Sequence, residues 1–346
     1  MVRAVSRPPR TRMTPSCGRH VFTQGELSHM KKALSVLVMT TALPAAAFAA
    51  DYPTKNMDMI IPASPGGAAD TLMRALQPGL ESALDRTIIV RNMGSGGGAL
   101  ALTRTVTSKP DGYTLTLANN QNFTLEGLGN VGFKYQDFNY LARITEEPYL
   151  LVSNKNDRWQ DADTLVADLK KSGKPLQVGT SGVGSSTYVV ASTLGSQLGI
   201  PVQVVPFDGG SPAISALMGS HVDAVVVNPS EVLSQIRGDR LQAVLSTGSE
   251  RSDLLPEVKT MKEQGYDLAV SQWRGIATPA GVSDEVEKAW VEAVKKAIEA
   301  PEFKRFAEST GVEVKPLFGD ELDSYVNDMA DVMIPASREV AKNNRQ

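Results

Sequence analysis

Four glycine-rich turns carry the residue patterns in this 346-residue chain from which ligand chemistry can be argued. They are Ser64-Pro65-Gly66-Gly67-Ala68-Ala69-Asp70, Asn92-Met93-Gly94-Ser95-Gly96-Gly97-Gly98, Gly179-Thr180-Ser181-Gly182-Val183-Gly184-Ser185-Ser186 and Phe207-Asp208-Gly209-Gly210-Ser211-Pro212. Each follows a strand-like run, and three open directly into a helical pattern. Glycine lets backbone amides approach a ligand, and a helix N-terminus offers unpaired N–H groups with roughly half a positive charge, so such turns suit an anion. Any one turn is as readily a short connection. The first and third, both carrying hydroxyl side chains, are expected to grip one carboxylate together.

Two turns approach nucleotide motifs. Gly94 to Ala99 fits G-x-G-x-x-A, and Gly179 to Ser186 has the outline of a phosphate loop in which Ser185 stands where lysine belongs. The first lacks an acidic residue at the end of the next strand, since Asp111 falls in the turn Lys109-Pro110-Asp111-Gly112. A phosphate loop without its lysine offers backbone amides alone, which fits a carboxylate better than a triphosphate; no cofactor is expected. Catalysis has little to build on. No spacing selects an acid–base pair from Asp70, Asp208, Asp223 and Glu231, and Gly182-Val183-Gly184-Ser185-Ser186 is not G-x-S-x-G. His221 precedes a strand, where a turn role is expected. Binding without turnover is the reading; an exported enzyme acting on a small carboxylate is the alternative.

The elements that must position these turns are short β-branched runs alternating with amphipathic helices. Strands are expected at Met57–Ile61, Thr87–Val90, Tyr113–Ala118, Tyr149–Val152, Leu176–Gly179, Val202–Val205, Val222–Val227, Leu241–Leu245 and Leu268–Val270. Helices are expected at Ala68–Leu84, Gly98–Ser108, Asp161–Lys171, Ser185–Leu198, Pro212–Met218 and Ser230–Arg237. The alternation predicts an α/β protein with parallel sheets and helices on both faces. From Ser283 the pattern is helical almost to the end, with Val286, Trp290, Val294 and Ile298 repeating along one face.

Met30 to Ala49 reads as a signal peptide: Lys31 and Lys32, an apolar run too short to span a bilayer, then Ala47-Phe48-Ala49 before the cut. A single membrane anchor is the alternative, and residues 1–29 read as an upstream mis-start or unstructured extension. The leader holds seven of the 35 basic residues and one of the 38 acidic ones, which leaves residues 50–346 at a net charge of −9. Nucleic acid or an anionic membrane as partner is disfavoured, because either needs a basic face. Cys17, His20 and His29 all lie upstream of the cut, so disulfides, a cysteine nucleophile and Cys/His zinc sites are excluded. The remaining 297 residues suffice for two domains in a periplasmic protein.

The order Pro65-Gly66-Gly67 with Asp70; Val90, Asn92 and Gly94; Pro110 to Leu115; Gly179 to Ser185; Gly209-Gly210 with Pro212; Gly219, His221, Val222 and Asp223; Leu255-Pro256; and Trp273, Gly275 and Pro279-Ala280-Gly281 resembles the Bug family. These are the extracytoplasmic solute receptors of tripartite tricarboxylate transporters, and the likeness covers essentially the whole mature chain. It implies a two-domain type II periplasmic binding protein fold with the ligand cleft between the domains, monomeric, handing a small carboxylate to integral membrane transporter subunits. It further implies that the carboxylate is pinched between the Pro65-Gly67 and Gly179–Ser185 turns by backbone N–H groups and ordered water. The binding residues are then Ser64, Pro65, Gly66, Gly67, Asp70, Gly179, Thr180, Ser181, Gly182, Gly184, Ser185, Ser186, Tyr188, Phe207, Gly209 and Gly210, with the second glycine turn purely structural.

Two departures from the family pattern bear on the ligand. Tyr188 stands where the family commonly has His, and Phe207-Asp208 where it commonly has Tyr-Lys. Losing basic groups and gaining a carboxylate favours a ligand of lower negative charge, with an aromatic ring or an amine; Phe123, Tyr188 and Phe207 are candidates to stack on a ring. Crossings between domains are expected at Leu141 to Ser153 and Ser271 to Thr278, dividing the chain into 51–151 plus 274–346 and 152–273.

Overall fold

The computed structural model describes residues 52–155 and 158–343. The leader and its cleavage site lie outside the described residues. Two sheets organise the chain, and the strands of each are drawn from different stretches of it. The first has the order β11-β4-β10-β3-β1-β2, with β1 Met57–Ile61, β2 Ile88–Asn92, β3 Thr114–Asn119, β4 Phe138–Pro148, β10 Ser271–Pro279 and β11 Val314–Leu317. The second has the order β7-β6-β8-β5-β9, with β5 Leu150–Asn154, β6 Leu176–Thr180, β7 Val202–Pro206, β8 Ala224–Val227 and β9 Leu241–Ser246. The helices are α1 Ala68–Leu84, α2 Ala99–Val106, α3 Gln121–Leu128, α4 Ala162–Ser172, α5 Ser186–Leu198, α6 Gly210–Met218, α7 Pro229–Arg237, α8 Asp284–Glu299, α9 Pro301–Thr310 and α10 Gly319–Asn343. None of them is long and apolar enough to cross a membrane.

The sheets are mixed, which corrects the expectation of purely parallel ones. β1 pairs in parallel with β2 and β3, and β6 with β7 and β8. β10, however, runs antiparallel to both β3 and β4, and β5 antiparallel to both β8 and β9. These antiparallel strands lie where the chain leaves one sheet for the other: β4 ends at Pro148 and β5 begins at Leu150, and the chain returns from β9 to β10. A strand at Leu268–Val270 is not formed; the ladder begins at Ser271.

Helix α1 shows how the pattern fixes one face of the first sheet. Leu72, Met73, Leu76, Leu80 and Leu84 recur at helical spacing and are buried, in one cluster with Trp290, Val294, Ala297 and Ile298 of α8. Burying each such side chain contributes about 1.5–3 kcal/mol. The helices approach closely because position 79 is glycine: a Cβ there would lie 2.8 Å from the Ala297 Cα. Helix α8 starts as its sequence requires, with Ser283 accepting from the Val286 N–H (3.4 Å) and Asp284, Glu285 and Glu287 in the first turn. Trp290 is wholly buried and donates to Tyr52 Oη (2.6 Å) and the Gly112 carbonyl (3.0 Å), a core residue.

Candidate functional site

The turn after β1 is built around Asp70. Gly66 takes φ +79°, where glycine is at ease, and its N–H donates to Asp70 Oδ2 (2.8 Å). The other carboxylate oxygen accepts from Arg74 Nε (2.9 Å) and Asn92 Nδ2 (3.0 Å), and Arg74 also reaches Asn92 Oδ1 (3.1 Å). Asp70 is 3% exposed and accepts three hydrogen bonds from within the protein, so it braces the turn. Burial alone would raise its pKa, but the Gly66 amide, Arg74 and Asn92 together hold it below the usual carboxylate value. Among the described residues the N–H groups of half-buried Gly67 and Ala68 find no acceptor within the protein, and they follow the exposed Ser64, Pro65 and Gly66.

Because the folded-state value of Asp70 is lowered, its contribution is present above the unfolded carboxyl value of about 3.9 and is lost as pH falls through the folded value. Asp70→Asn is expected to lower stability by about 1–3 kcal/mol at neutral pH. Urea unfolding of the two proteins should converge in strong acid; a constant gap at every pH would show that the charge of Asp70 does nothing.

The third turn has the same logic with different parts. Gly182 (φ +122°) and Gly184 (φ +87°) twist the backbone so that, among the described residues, the amides of Gly182, Val183 and Gly184 have no acceptor in the protein. Three of the hydroxyls expected to reach a ligand, those of Ser181, Ser185 and Ser186, are engaged by other groups of the protein. Ser185 Oγ donates to the Gly182 carbonyl (2.7 Å) and caps α5 by accepting from the Tyr188 N–H (3.2 Å). Ser181 and Ser185 both pair with Thr187 Oγ1, at 2.7 and 2.9 Å. Ser186 Oγ donates to Gln272 Oε1 (2.9 Å). Gly179 and Thr180 lie in the sheet: a Cβ at Gly179 would meet Val225 at 3.0 Å and the Phe207 ring at 3.3 Å, and Thr180 is wholly buried. The turn therefore offers backbone amides, with Val183 (58% exposed) at its tip.

Close approaches bring all four turns together. A Cβ at Gly94 would lie 3.0 Å from the Ser64 nitrogen, one at Gly97 2.9 Å from the Val183 carbonyl oxygen, and one at Gly182 3.3 Å from the Phe207 carbonyl oxygen. The second turn is thus not remote from the third: Gly97 abuts Val183 and accepts from Gln121 Nε2 (2.6 Å). Thr124 of α3 donates to the Gly184 carbonyl (2.8 Å), docking the third turn on the helix that follows β3. An open recess of about 680 Å³ is walled by Gly96, Gly97, Gly182, Val183, Phe207 and Asp208. Tyr188 is half-buried against the core and does not line this recess, and Phe123 is wholly buried against Tyr135 and Trp273, so it cannot stack on a ligand. His221 is exposed in the turn before β8.

A second, smaller cavity of about 170 Å³ adjoins the first and fourth turns, walled by Ala68 and Thr71 of α1, Ser211 of α6, Ser230 and Glu231 of α7 and Arg274 of β10, among others. Nothing in the local sequence marked Glu147 or Arg274. Arg274 Nη1 bonds Glu147 Oε2 (2.7 Å), with both side chains buried, and Nη2 bonds Asn228 Oδ1 (3.1 Å). Glu147 Oε1 accepts from the Ser230 N–H (3.2 Å). Behind them Tyr149 donates to Gln272, and Asn120 Nδ2 donates to Tyr149 Oη (2.9 Å) and the Ser271 carbonyl (2.8 Å). Among the described residues no group of His, Cys, Asp and Glu stands in a metal-binding arrangement.

Comparison with known proteins fits this geometry. Residues 72–333 match the tripartite tricarboxylate transporter family receptor, TctC. The UPF0065 protein of the TAR-I ttuE-ttuC' intergenic region of Agrobacterium vitis is 31% identical over 279 residues, covering 79% of this chain and 81% of that protein. Protein BugT of Bordetella pertussis is 27% identical over 265 residues, with 75% and 81% covered. Among solved structures, MatC of Rhodopseudomonas palustris with bound malate aligns at TM-score 0.73 and 25% identity over 83% of this chain and all (100%) of that one. The periplasmic binding protein BugD aligns at TM-score 0.73 and 24% identity, covering 84% and 98%. The fold is that of the two-domain periplasmic binding proteins, and the chain belongs to the family of tripartite tricarboxylate transporter receptors.

Proposed function

We propose that this protein is a periplasmic receptor that captures a small organic carboxylate by closing two lobes and delivers it, without turnover, to the integral membrane subunits of its transporter. The observation that carries this reading is the pair of turns, one after β1 and one after β6, whose glycines leave N–H groups without a protein acceptor and which are bridged by the second turn, close to Ser64 at Gly94 and to Val183 at Gly97. Amides so arranged hold a carboxylate by charge-assisted hydrogen bonds and have no group that attacks or deprotonates it. Malate in MatC supports the ligand class. The lobes are residues 51–151 plus 274–346 and residues 152–273, acting as a monomer. The signal peptide at 30–49 supplies the export that the reading needs.

Thermal unfolding against a panel of mono-, di- and tricarboxylates tests it. A ligand at about 100 times its dissociation constant stabilises by about 2.7 kcal/mol. Small-angle scattering should show a smaller radius of gyration at saturation. A compound consumed with release of product points to the enzyme reading, and an unchanged radius removes lobe closure.

A further inference from the structure

Among the described residues the two most exposed large apolar side chains are Val183 (58%) and Leu100 (55%), and they stand at one rim of the molecule. Leu100 is in the first turn of α2, three residues after Gly97, and a Cβ at Gly97 would lie 2.9 Å from the Val183 carbonyl oxygen. Each lobe also brings to this rim an exposed charge without a partner among the described residues. Arg104 lies one turn beyond Leu100 on the same face of α2, and Asp208 is in the wall of the recess with Val183. The rim is thus composite, with Leu100 and Arg104 from one lobe and Val183 and Asp208 from the other. Single exposed aliphatic side chains are ordinary, but a pair supplied by two lobes and flanked by unpaired charges of opposite sign has the make-up of a contact surface.

Resting on the receptor reading with its two lobes, we propose that this rim is the docking face for an integral membrane subunit of the transporter, complete only when the lobes are closed. The partner is a loop outside the bilayer that presents an apolar side chain to Leu100 and Val183, an acidic group to Arg104 and a basic one to Asp208. The approach of Gly97 to Val183 and the hydrogen bond from Thr124 to the Gly184 carbonyl (2.8 Å) hold the two halves side by side. Parting the lobes separates Leu100 from Val183, so an open receptor offers two weak half-sites and a closed one offers the whole. A subunit seated there also lies over the third turn, where the carboxylate is held. A second copy of the chain is a poorer occupant: two half-exposed aliphatic side chains fall far short of the roughly 800 Å² per partner that a standard interface buries, whereas a transporter must release its receptor after each delivery. A lipid surface is poorer still, since residues 50–346 carry a net charge of −9.

Photo-crosslinking in the protein's native cells tests this, with benzoylphenylalanine in place of Leu100 or of Val183 and, as controls, of Met218 or Val332, which are also exposed (41% each) but lie on α6 and α10. Both rim positions should yield an adduct with the same multi-spanning subunit of a tripartite tricarboxylate transporter, identified from its peptides, and the controls should yield none. Arg104→Glu in the chain labelled at Val183 should lower that adduct about tenfold, because it sets like charges against each other across the contact. Arg104 is exposed, so the variant should fold, and an unchanged urea midpoint checks that it does. An adduct with a second copy of this chain, an adduct from one lobe alone, equal adducts from the controls, a yield indifferent to Arg104→Glu, or no adduct from any position overturns the docking face. Binding of an acid in the carboxylate panel then leaves the receptor reading standing, and failure of every acid in that panel strikes the receptor reading itself.

Discussion

Arg274→Met should lower the unfolding free energy by about 3–5 kcal/mol, because it leaves Glu147 as an uncompensated charge in the interior. The Glu147 side chain is fully enclosed (0% exposed) and that of Arg274 nearly so (6%), so water cannot replace the lost partner. The drop in melting temperature should be on the order of 10 °C. The double variant Glu147→Leu/Arg274→Met should recover most of it, since removing both charges of a buried pair is often neutral. Urea unfolding of the single and double variants decides the matter. Equal midpoints for wild type and Arg274→Met would mean that Glu147 finds solvent, and that β4 and β10 are not sealed at this end.

Gly182→Val should weaken ligand binding by about ten- to a hundredfold, the equivalent of about 1.5–3 kcal/mol of charge-assisted hydrogen bonding. Two causes act together. A φ of +122° is strained for any β-branched residue, so the turn must rearrange, and the new side chain projects toward the Phe207 carbonyl, 3.3 Å from its Cβ. Gly129→Ala is the control: Gly129 has φ +73° at the end of α3, with nothing within 4 Å of its would-be Cβ. It should cost stability by a similar strain and leave affinity intact. Calorimetry that finds both variants binding equally well would remove the third turn from the site. Gly97→Ala, expected from the sequence to cost stability at most, would place a Cβ 2.9 Å from the Val183 carbonyl oxygen, so its affinity should be measured beside these two.

Local physics explains which parts of the molecule were readable. β1 and α1 were placed to the residue because an apolar run and an i, i+4 stripe need no knowledge of the rest of the chain. Helix α3 was missed: it opens on Gln121 and Asn122, contains Gly127, and is buried only because α10 covers it, with Gly127 pressed against Ile334 and Ser337. Strand β10 was read only as a crossing, since Gln272, Arg274 and Gly275 suit a buried strand only beside Glu147, Tyr149 and Ala142, partners more than a hundred residues away in sequence. The direction of β5 and β10 is likewise a property of topology. At the site, the glycines were legible through the turns they form. The hydroxyls of Ser181 and Ser185 misled because Ser and Thr beside a helix start serve the cap as readily as a ligand.

The geometry of the third turn has a practical corollary. The side chain of Val183 stands in water at its tip, so a different side chain at that position need not disturb the backbone of the turn. Cys17, in the leader, is the sole cysteine of the chain. A thiol introduced as Val183→Cys in the mature protein is therefore unique, exposed and seated at the mouth of the recess. An environment-sensitive dye attached there turns the receptor into an optical sensor for its own solute, with the change in emission reporting occupancy directly.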